Sequence, residues 1–413
     1  MIDPIEKLKK YNQNHIIEMI KVFSDEEKNN IFDQLNRINL DEIDSLYMEL
    51  SNKEKVLDSN IEEIVAVNKD KITLEEQKEI NTLGENIIKN NQYALVTMSG
   101  GQGTRLGYDK AKGTFIVNIM PSPKSLFEIL ADKLKKVKDE FNVITPWYIM
   151  TSEENDKQIE DFFVENNYFN YPREYIMFFK QDNLPMLTED KKLIINKEKN
   201  IKEAASGNGS IFNAMYKNGV LTDMKKRGIK WIFISSIDNI LLKIADPMLV
   251  GLAEKENVEI ATKSILRNSP EEKVGAICKK DGKIYVIEYS EMSDEMKTAV
   301  NENGEFKFGE SHIMCNLFSL NALNELAQKK LPYHIAHKKS EYLNEKGELV
   351  IPQEPNAYKF ETFIFDSWKY FDKIAILRGK REEDFAPIKN KEGVDSPSTA
   401  VDLYNKFYFK EEI

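Results

Sequence analysis

Only two cysteines and four histidines occur in 413 residues. Cys278 and Cys315 form no CxxC pair and offer no disulfide framework, which suits a reducing compartment and marks both as packing residues. His334 and His337, in HIAH, have a spacing that could share one helix turn, but Pro332 and the want of a third ligand argue against zinc. No run approaches the ~18 apolar residues of a membrane span, and the opening MIDPIEKLKKYNQ lacks the apolar stretch of a signal peptide. A cytoplasmic protein with no membrane partner is therefore expected. Basic residues are outnumbered, 58 Lys and Arg against 69 Asp and Glu, for a net charge of -11. That balance repels nucleic acid at long range and leaves open a small anion in a locally basic pocket. Neither a repeat of fixed period nor the hexapeptide pattern of a left-handed β-helix occurs.

With 41% hydrophobic residues, the chain can bury a large core. Residues 1–90 show helical spacing, as in Ile16, Ile17, Ile20 and Phe23, then Leu46 and Leu50, then Ile80, Leu83 and Ile87. From Tyr93 the pattern changes to short apolar runs separated by helix-like stretches: YALVTM, WYIMT at 147, YIMFF at 175, WIFISSI at 231, IATKSI at 260 and IYVIEY at 284. This alternation predicts an α/β fold of βαβ units around a largely parallel sheet with helices on both faces. Ser125 and Glu128 have capping-box spacing, and Leu126, Ile129, Leu130, Leu134 and Val137 continue as an apolar stripe, so a helix is expected there. The division expected is a helical N-terminal region (1–90), a catalytic domain (91–345) and a small C-terminal region packed on the core (346–413), with prolines at 352, 355, 387 and 397 and the apolar runs FIF and IAIL.

The loop SGGQGTRLG, residues 99–107, follows YALVTM directly. A strand running into a glycine-rich turn lets backbone N–H groups approach a phosphate with no Cβ in the way. A Walker A loop would need lysine after its last glycine, where Tyr108 stands; a dinucleotide GxGxxG would need glycine at Leu106. The first reading fails and the second is off register, so a triphosphate is the expected ligand.

The loop and the Lys112–Gly113 pair that follows it resemble the signature of the UDP-sugar pyrophosphorylases, most closely the eukaryotic-type UDP-N-acetylglucosamine branch. The resemblance continues through PWYIMTS, FFKQDNLPML, GNGS, SIDNILLKIADP, VIEYSE, FIFD and FAPIKN, and into NHIIEMIKVF near the start. It implies a Rossmann-like, GT-A-like nucleotidyltransferase core with a mixed, mostly parallel sheet. It also implies uridylyl transfer from UTP to a sugar 1-phosphate, giving a UDP-sugar and pyrophosphate with Mg2+ as cofactor. Gly100, Gly101 and Gly103 would give amides to the nucleotide, and Arg105 would hold the leaving phosphates bidentately. Lys112 and Lys389 would serve the transferring phosphate. Gln181, Gly207 and Asn208 resemble the uracil-contacting elements. Asp238, just past the WIFISS run, would hold the metal, with Asp366 the candidate second ligand. Gly275, Glu288 and Lys359 match sugar and sugar-phosphate positions. His312, in ESHIMCN, stands where the N-acetylglucosamine enzymes carry an asparagine near the acetamido group. The sugar implied is N-acetylglucosamine 1-phosphate, with glucose or galactose 1-phosphate as alternative. Two other functions stay open, a non-catalytic nucleotide-sugar-binding protein and a dinucleotide oxidoreductase, the latter disfavoured by its off-register fingerprint.

Overall fold

The computed structural model describes residues 3–43 and 60–409, so Leu46 and Leu50 lie outside the described residues. The chain divides into two units, one of Met1–Leu57, Asp182–Ser210 and Leu331–Phe363, the other of Asp58–Gln181, Ile211–Lys330 and Ile364–Ile413. This grouping differs from the linear division read from the sequence, because the chain enters and leaves the smaller unit by two long excursions.

Three helices of the smaller unit, Pro4–Lys10, Asn14–Met19 and Asp25–Arg37, bury Leu8, Ile16, Met19, Ile31 and Leu35 with Leu187, Leu193, Ile201 and Phe360. Ser24 and Glu27 close a full capping box on the third helix. Two buried glutamines then act as surrogate backbone. Gln34 donates to the Ile201 carbonyl (2.9 Å) and accepts from its N–H (2.7 Å), while Gln13 accepts from Leu193 N–H (2.8 Å) and donates to the Lys191 carbonyl (2.9 Å). Each saturates amide groups that would otherwise be buried without partners. Strand His334–Lys338 pairs with Ala357–Glu361, and that with Leu187–Thr188. On a strand, side chains alternate faces. His334 therefore meets the Phe363 ring, while His337 stacks on Tyr358 and lies 3.2 Å from Glu189; the pair shares no helix turn.

Among the described residues the larger unit holds an eleven-stranded sheet. Its main path runs Val67–Asn68, Ala375–Arg378, Ile260–Leu266, Glu310–Ser319, Trp231–Ser236, Tyr93–Met98, Trp147–Thr151 and Ile176–Lys180. All neighbours on this path pair in parallel except that Glu310–Ser319 runs antiparallel to both of its own. The expected mixed, mostly parallel α/β sheet is thus present. Ala276–Lys280, Lys283–Ile287 and Ile61–Glu63 extend it as an antiparallel branch. YALVTM is buried throughout, as a strand covered on both faces must be. Trp147 packs among Phe127, Phe163 and Tyr171, its indole N–H donating to Thr97 Oγ1 at 2.9 Å. The IAIL run, read as part of a separate C-terminal region, supplies a parallel strand of this sheet. Helix Leu126–Phe141 forms where its stripe predicts. Ser125 Oγ accepts from Glu128 N–H (3.1 Å), but the Glu128 carboxylate turns toward Lys124 at 3.8 Å, so only one arm of the capping box closes.

Helices Leu74–Lys89 and Pro247–Glu256 cross at two glycines. A Cβ on Gly84 would lie 1.9 Å from the Pro247 carbonyl oxygen, and one on Gly251 only 1.7 Å from that of Ile80. These backbones touch because neither residue has a side chain. Gly251→Ala forces them apart, and overpacking of this kind costs about 1–3 kcal/mol. Urea unfolding at neutral pH measures it; a loss under ~0.5 kcal/mol would mean that the helices separate freely.

Candidate functional site

The glycine loop is folded by hydrogen bonds between its own two arms. Gly103 N–H donates to the Lys110 carbonyl (3.0 Å), Lys112 N–H to the Gly101 carbonyl (3.1 Å) and Tyr108 N–H to the Gly103 carbonyl (3.1 Å). Asn155, buried after the neighbouring strand, donates to the Ser99 carbonyl (3.1 Å) and fixes the loop's root. Gly103 is required by close approach to a ring and its backbone, whereas Gly100 faces the movable end of a side chain. A Cβ on Gly100 would sit 2.2 Å from Gln181 Nε2, and one on Gly103 would strike Tyr108 at 2.8 Å. Gly101 has open space at the same position. The loop thus leaves backbone bare on one side and brings Lys112 back toward the sheet. Arg105 is exposed on the short turn Thr104–Leu106 and forms no ion pair with another described residue.

Tyr93–Met98, Trp147–Thr151, Ile176–Lys180 and Trp231–Ser236 are adjacent parallel strands, so their carboxyl ends share one edge of the sheet. The glycine loop leaves the first, Asn155 follows the second, Gln181 the third and Asp238 the fourth. Lys112 Nζ lies 3.2 Å from Asp238 Oδ2. Burial pushes the Asp238 carboxyl up, but the charges of Lys112 and Lys389 and a hydrogen bond with Ser236 outweigh it and leave the pKa below the ordinary value. Asp238 therefore stays ionised at neutral pH. Lys389 is also 3.4 Å from Asp395 and lies over the Phe385 ring. Among the described residues no group of three His, Cys, Asp or Glu side chains could cage a metal. One strand-end carboxylate is nonetheless a donor set that fits a hard divalent ion keeping its water and phosphate ligands. Asp366 is buried in the turn Ile364–Tyr370, where its charge helps burial to raise the Tyr285 phenol.

Three residues expected at the sugar come together on the same unit. Gly275 accepts from His312 N–H (2.9 Å), and a Cβ on Gly275 would stand 3.3 Å from Glu288 Oε1. His312 reaches this edge on the antiparallel strand, just before an irregularity in pairing at Met314, whose φ is +57°. Its Nε2 meets Asn316 Oδ1 at 2.9 Å, and its ring stands edge-on to Phe365 and Trp368. Gly207, Asn208 and Lys359 belong to the smaller unit. There Gly207 has φ +86° against the Thr362 backbone, Asn208 opens the turn Asn208–Ser210, and Lys359 pairs with Glu361 at 2.8 Å. The sequence reading missed Asn155, Phe365, Trp368 and Lys391. A Cβ on Gly107 would touch the last at 3.7 Å, which puts another cation beside the loop; lysine two residues beyond Lys389 carries no motif signal.

A sequence model of the UTP–glucose-1-phosphate uridylyltransferase family matches residues 13–403. The chain belongs to that family. As a member, it is 38% identical over 336 residues to the UDP-N-acetylglucosamine pyrophosphorylase of Saccharomyces cerevisiae, covering 78% of this chain and 70% of that one. It is 31% identical to UDP-N-acetylglucosamine diphosphorylase 2 of Arabidopsis thaliana, covering 96% and 82%. Among solved structures, that of the uridine diphosphate N-acetylglucosamine pyrophosphorylase of Trypanosoma brucei, in complex with an inhibitor, superposes with a TM-score of 0.81 at 27% identity, covering 97% of this chain and 83% of that one.

The His312 environment sets an acid dependence. Burial pushes the imidazole down to about 4, against the opposing bond to Asn316. An unfolded histidine titrates near ~6.5. Between those values the unfolded chain binds a proton that the folded chain refuses, so this residue's share of stability is complete above ~6.5 and falls as pH drops toward 4. The Tm of His312→Asn should decline less than that of the native protein from pH 7 to 4.5. Equal declines would mean that the ring is hydrated.

Proposed function

We propose that this chain is a UTP:sugar-1-phosphate uridylyltransferase whose preferred acceptor is N-acetylglucosamine 1-phosphate. The Lys112–Asp238 pair, with Lys389 beside it at the sheet edge where the glycine loop opens, carries this reading; the names of the relatives support the choice of sugar.

In the reaction a phosphate oxygen of the sugar 1-phosphate attacks the α-phosphorus of UTP. The new P–O bond forms as the bond from the α-phosphorus to the bridging oxygen breaks, and pyrophosphate leaves with that electron pair. Two anions must meet, so alignment and charge neutralisation supply the catalysis, and no covalent protein intermediate is needed. The open backbone at Gly100, Gly101 and Gly103 offers amides to the nucleotide, and Arg105 takes the leaving β and γ phosphates. Lys112 and Lys389 bring compact ammonium groups to the transferred phosphate. Asp238 would hold a divalent cation, Mg2+ in this proposal, which when bound neutralises phosphate charge. On the larger unit the family resemblance gives Gln181 to the uracil and Gly275, Glu288 and His312 to the sugar; on the smaller unit it gives Gly207 and Asn208 to the uracil and Lys359 to the sugar phosphate. A cytoplasmic location belongs to the same proposal, and two buried, unpaired cysteines agree with a reducing compartment.

Pyrophosphate release from UTP with magnesium and a panel of sugar 1-phosphates tests the reading. The highest kcat/KM is expected with N-acetylglucosamine 1-phosphate, and Asp238→Asn should lose about 100-fold with the fold intact, as for removal of one strong electrostatic stabiliser. Release with glucose 1-phosphate alone would move the assignment to the plain hexose. No release with any sugar would remove it.

A further inference from the structure

Asp238 and Lys389 are 151 positions apart in sequence, and the residue joining their segments is Asn239. It is buried, at 4% exposure. Its Nδ2 donates to the Asp384 carbonyl (2.7 Å), and its Oδ1 accepts from Ala386 N–H (2.9 Å) and Leu241 N–H (3.3 Å). Backbone bonds continue the seam, from Ile240 N–H to the Ala386 carbonyl (3.2 Å) and from Ile388 N–H to the Asp238 carbonyl (2.9 Å). One amide side chain thus ties the turn after strand Trp231–Ser236 to the segment ending in Lys389.

Behind this seam lies a buried ionic chain. Lys263, 3% exposed, places Nζ 2.6 Å from Asp384 Oδ1 and 2.6 Å from Asp246 Oδ2. Asp246 is itself fixed as the N-cap of helix Pro247–Glu256, accepting from Met248 N–H at 3.1 Å. Lys133, from helix Leu126–Phe141, donates to the carbonyls of Ile240 and Leu242 at 2.7 Å each. Two carboxylates and one ammonium this dry are stable only in this geometry, because breaking one contact strands a buried charge. The chain therefore resists displacement at both ends: Asp246 is anchored to a helix and Asp384 to the seam.

We infer that Asn239, backed by the Asp384–Lys263–Asp246 chain, is a positioning residue that holds Asp238 and Lys389 in register, so that their segments move as one piece. The inference rests on the uridylyltransferase reading for its kinetic consequence, and not for its structural one.

Two variants test it. Asn239→Ala removes the clasp. Leu323→Ala opens a cavity in the same unit, where buried Leu323 on helix Leu320–Leu326 packs toward helices Ile211–Lys217 and Val220–Lys226, and serves as the stability control. Each is assayed well below its Tm, and hydrogen exchange is followed at the Ala386 and Ile388 amides. For Asn239→Ala the expectation is a kcat lowered by about 100-fold, since a misplacement near 1 Å has that effect. Its KM for UTP should change less than threefold, and both amides should exchange at least tenfold faster. Leu323→Ala should keep kcat within about twofold and both amides protected. Asp384→Asn, which retains shape but breaks the ionic chain, should fall between the two. A kcat loss in Asn239→Ala no greater than in the control, or protected amides despite the lost side chain, would overturn the inference. If the native enzyme releases no pyrophosphate, the functional reading fails, and the exchange rates alone decide the positioning role.

Discussion

A partly buried carboxylate stays ionised only where something compensates for its lost water, and at Asp238 two lysines do so. The requirement is demanding. Lys112 comes from a loop after one strand, Asp238 from the turn after its neighbour, and Lys389 from a segment near the end of the chain. Three distant stretches must meet, and the rest of the larger unit is arranged to make them meet. In a protein of net charge -11, this edge concentrates cations, with Arg105, Lys110, Lys112, Lys389 and Lys391 all on the loop or the facing segment. A small polyphosphate finds local attraction there although the whole surface repels long polyanions.

The constraint propagates inward. Parallel strands put their carboxyl ends on one edge, which is where ligands bind in open α/β sheets. Fully buried strands such as Tyr93–Met98 make that edge rigid. Asn155 fixes the root of the glycine loop, and the loop's own cross-bonds return Lys112 to the sheet. The antiparallel strand Glu310–Ser319 brings His312 to the same edge from the opposite direction, which a wholly parallel sheet could not do with a residue near the start of a strand.

How much of this is legible in the sequence depends on whether the cause is local. YALVTM, WYIMT and WIFISS are apolar on both faces and read directly as buried strands. ESHIMCNLFS, a ten-residue strand, does not: its polar residues serve the sheet edge and an irregularity breaks its alternation. IAIL reads as apolar, but nothing near it tells that the chain returns to pair with Ile260–Leu266. The glycines of the loop, Arg105, Lys112 and Asp238 are conspicuous as residue types. Gly84 and Gly251 look like weak points in helices until the helices are seen in contact. Asn239 next to Asp238 reads as turn punctuation, because its partners lie some 145 residues away.

Lys112 and Asp238, in contact at the sheet edge, are expected to act as one electrostatic unit. A double-mutant cycle on kcat with Lys112→Met, Asp238→Asn and the combined variant tests it most directly. The double variant is expected to be scarcely slower than Asp238→Asn alone, with a coupling of at least ~1 kcal/mol, as for contacting groups that share one role. Losses that simply multiply would show that the two side chains act independently, and would contradict it.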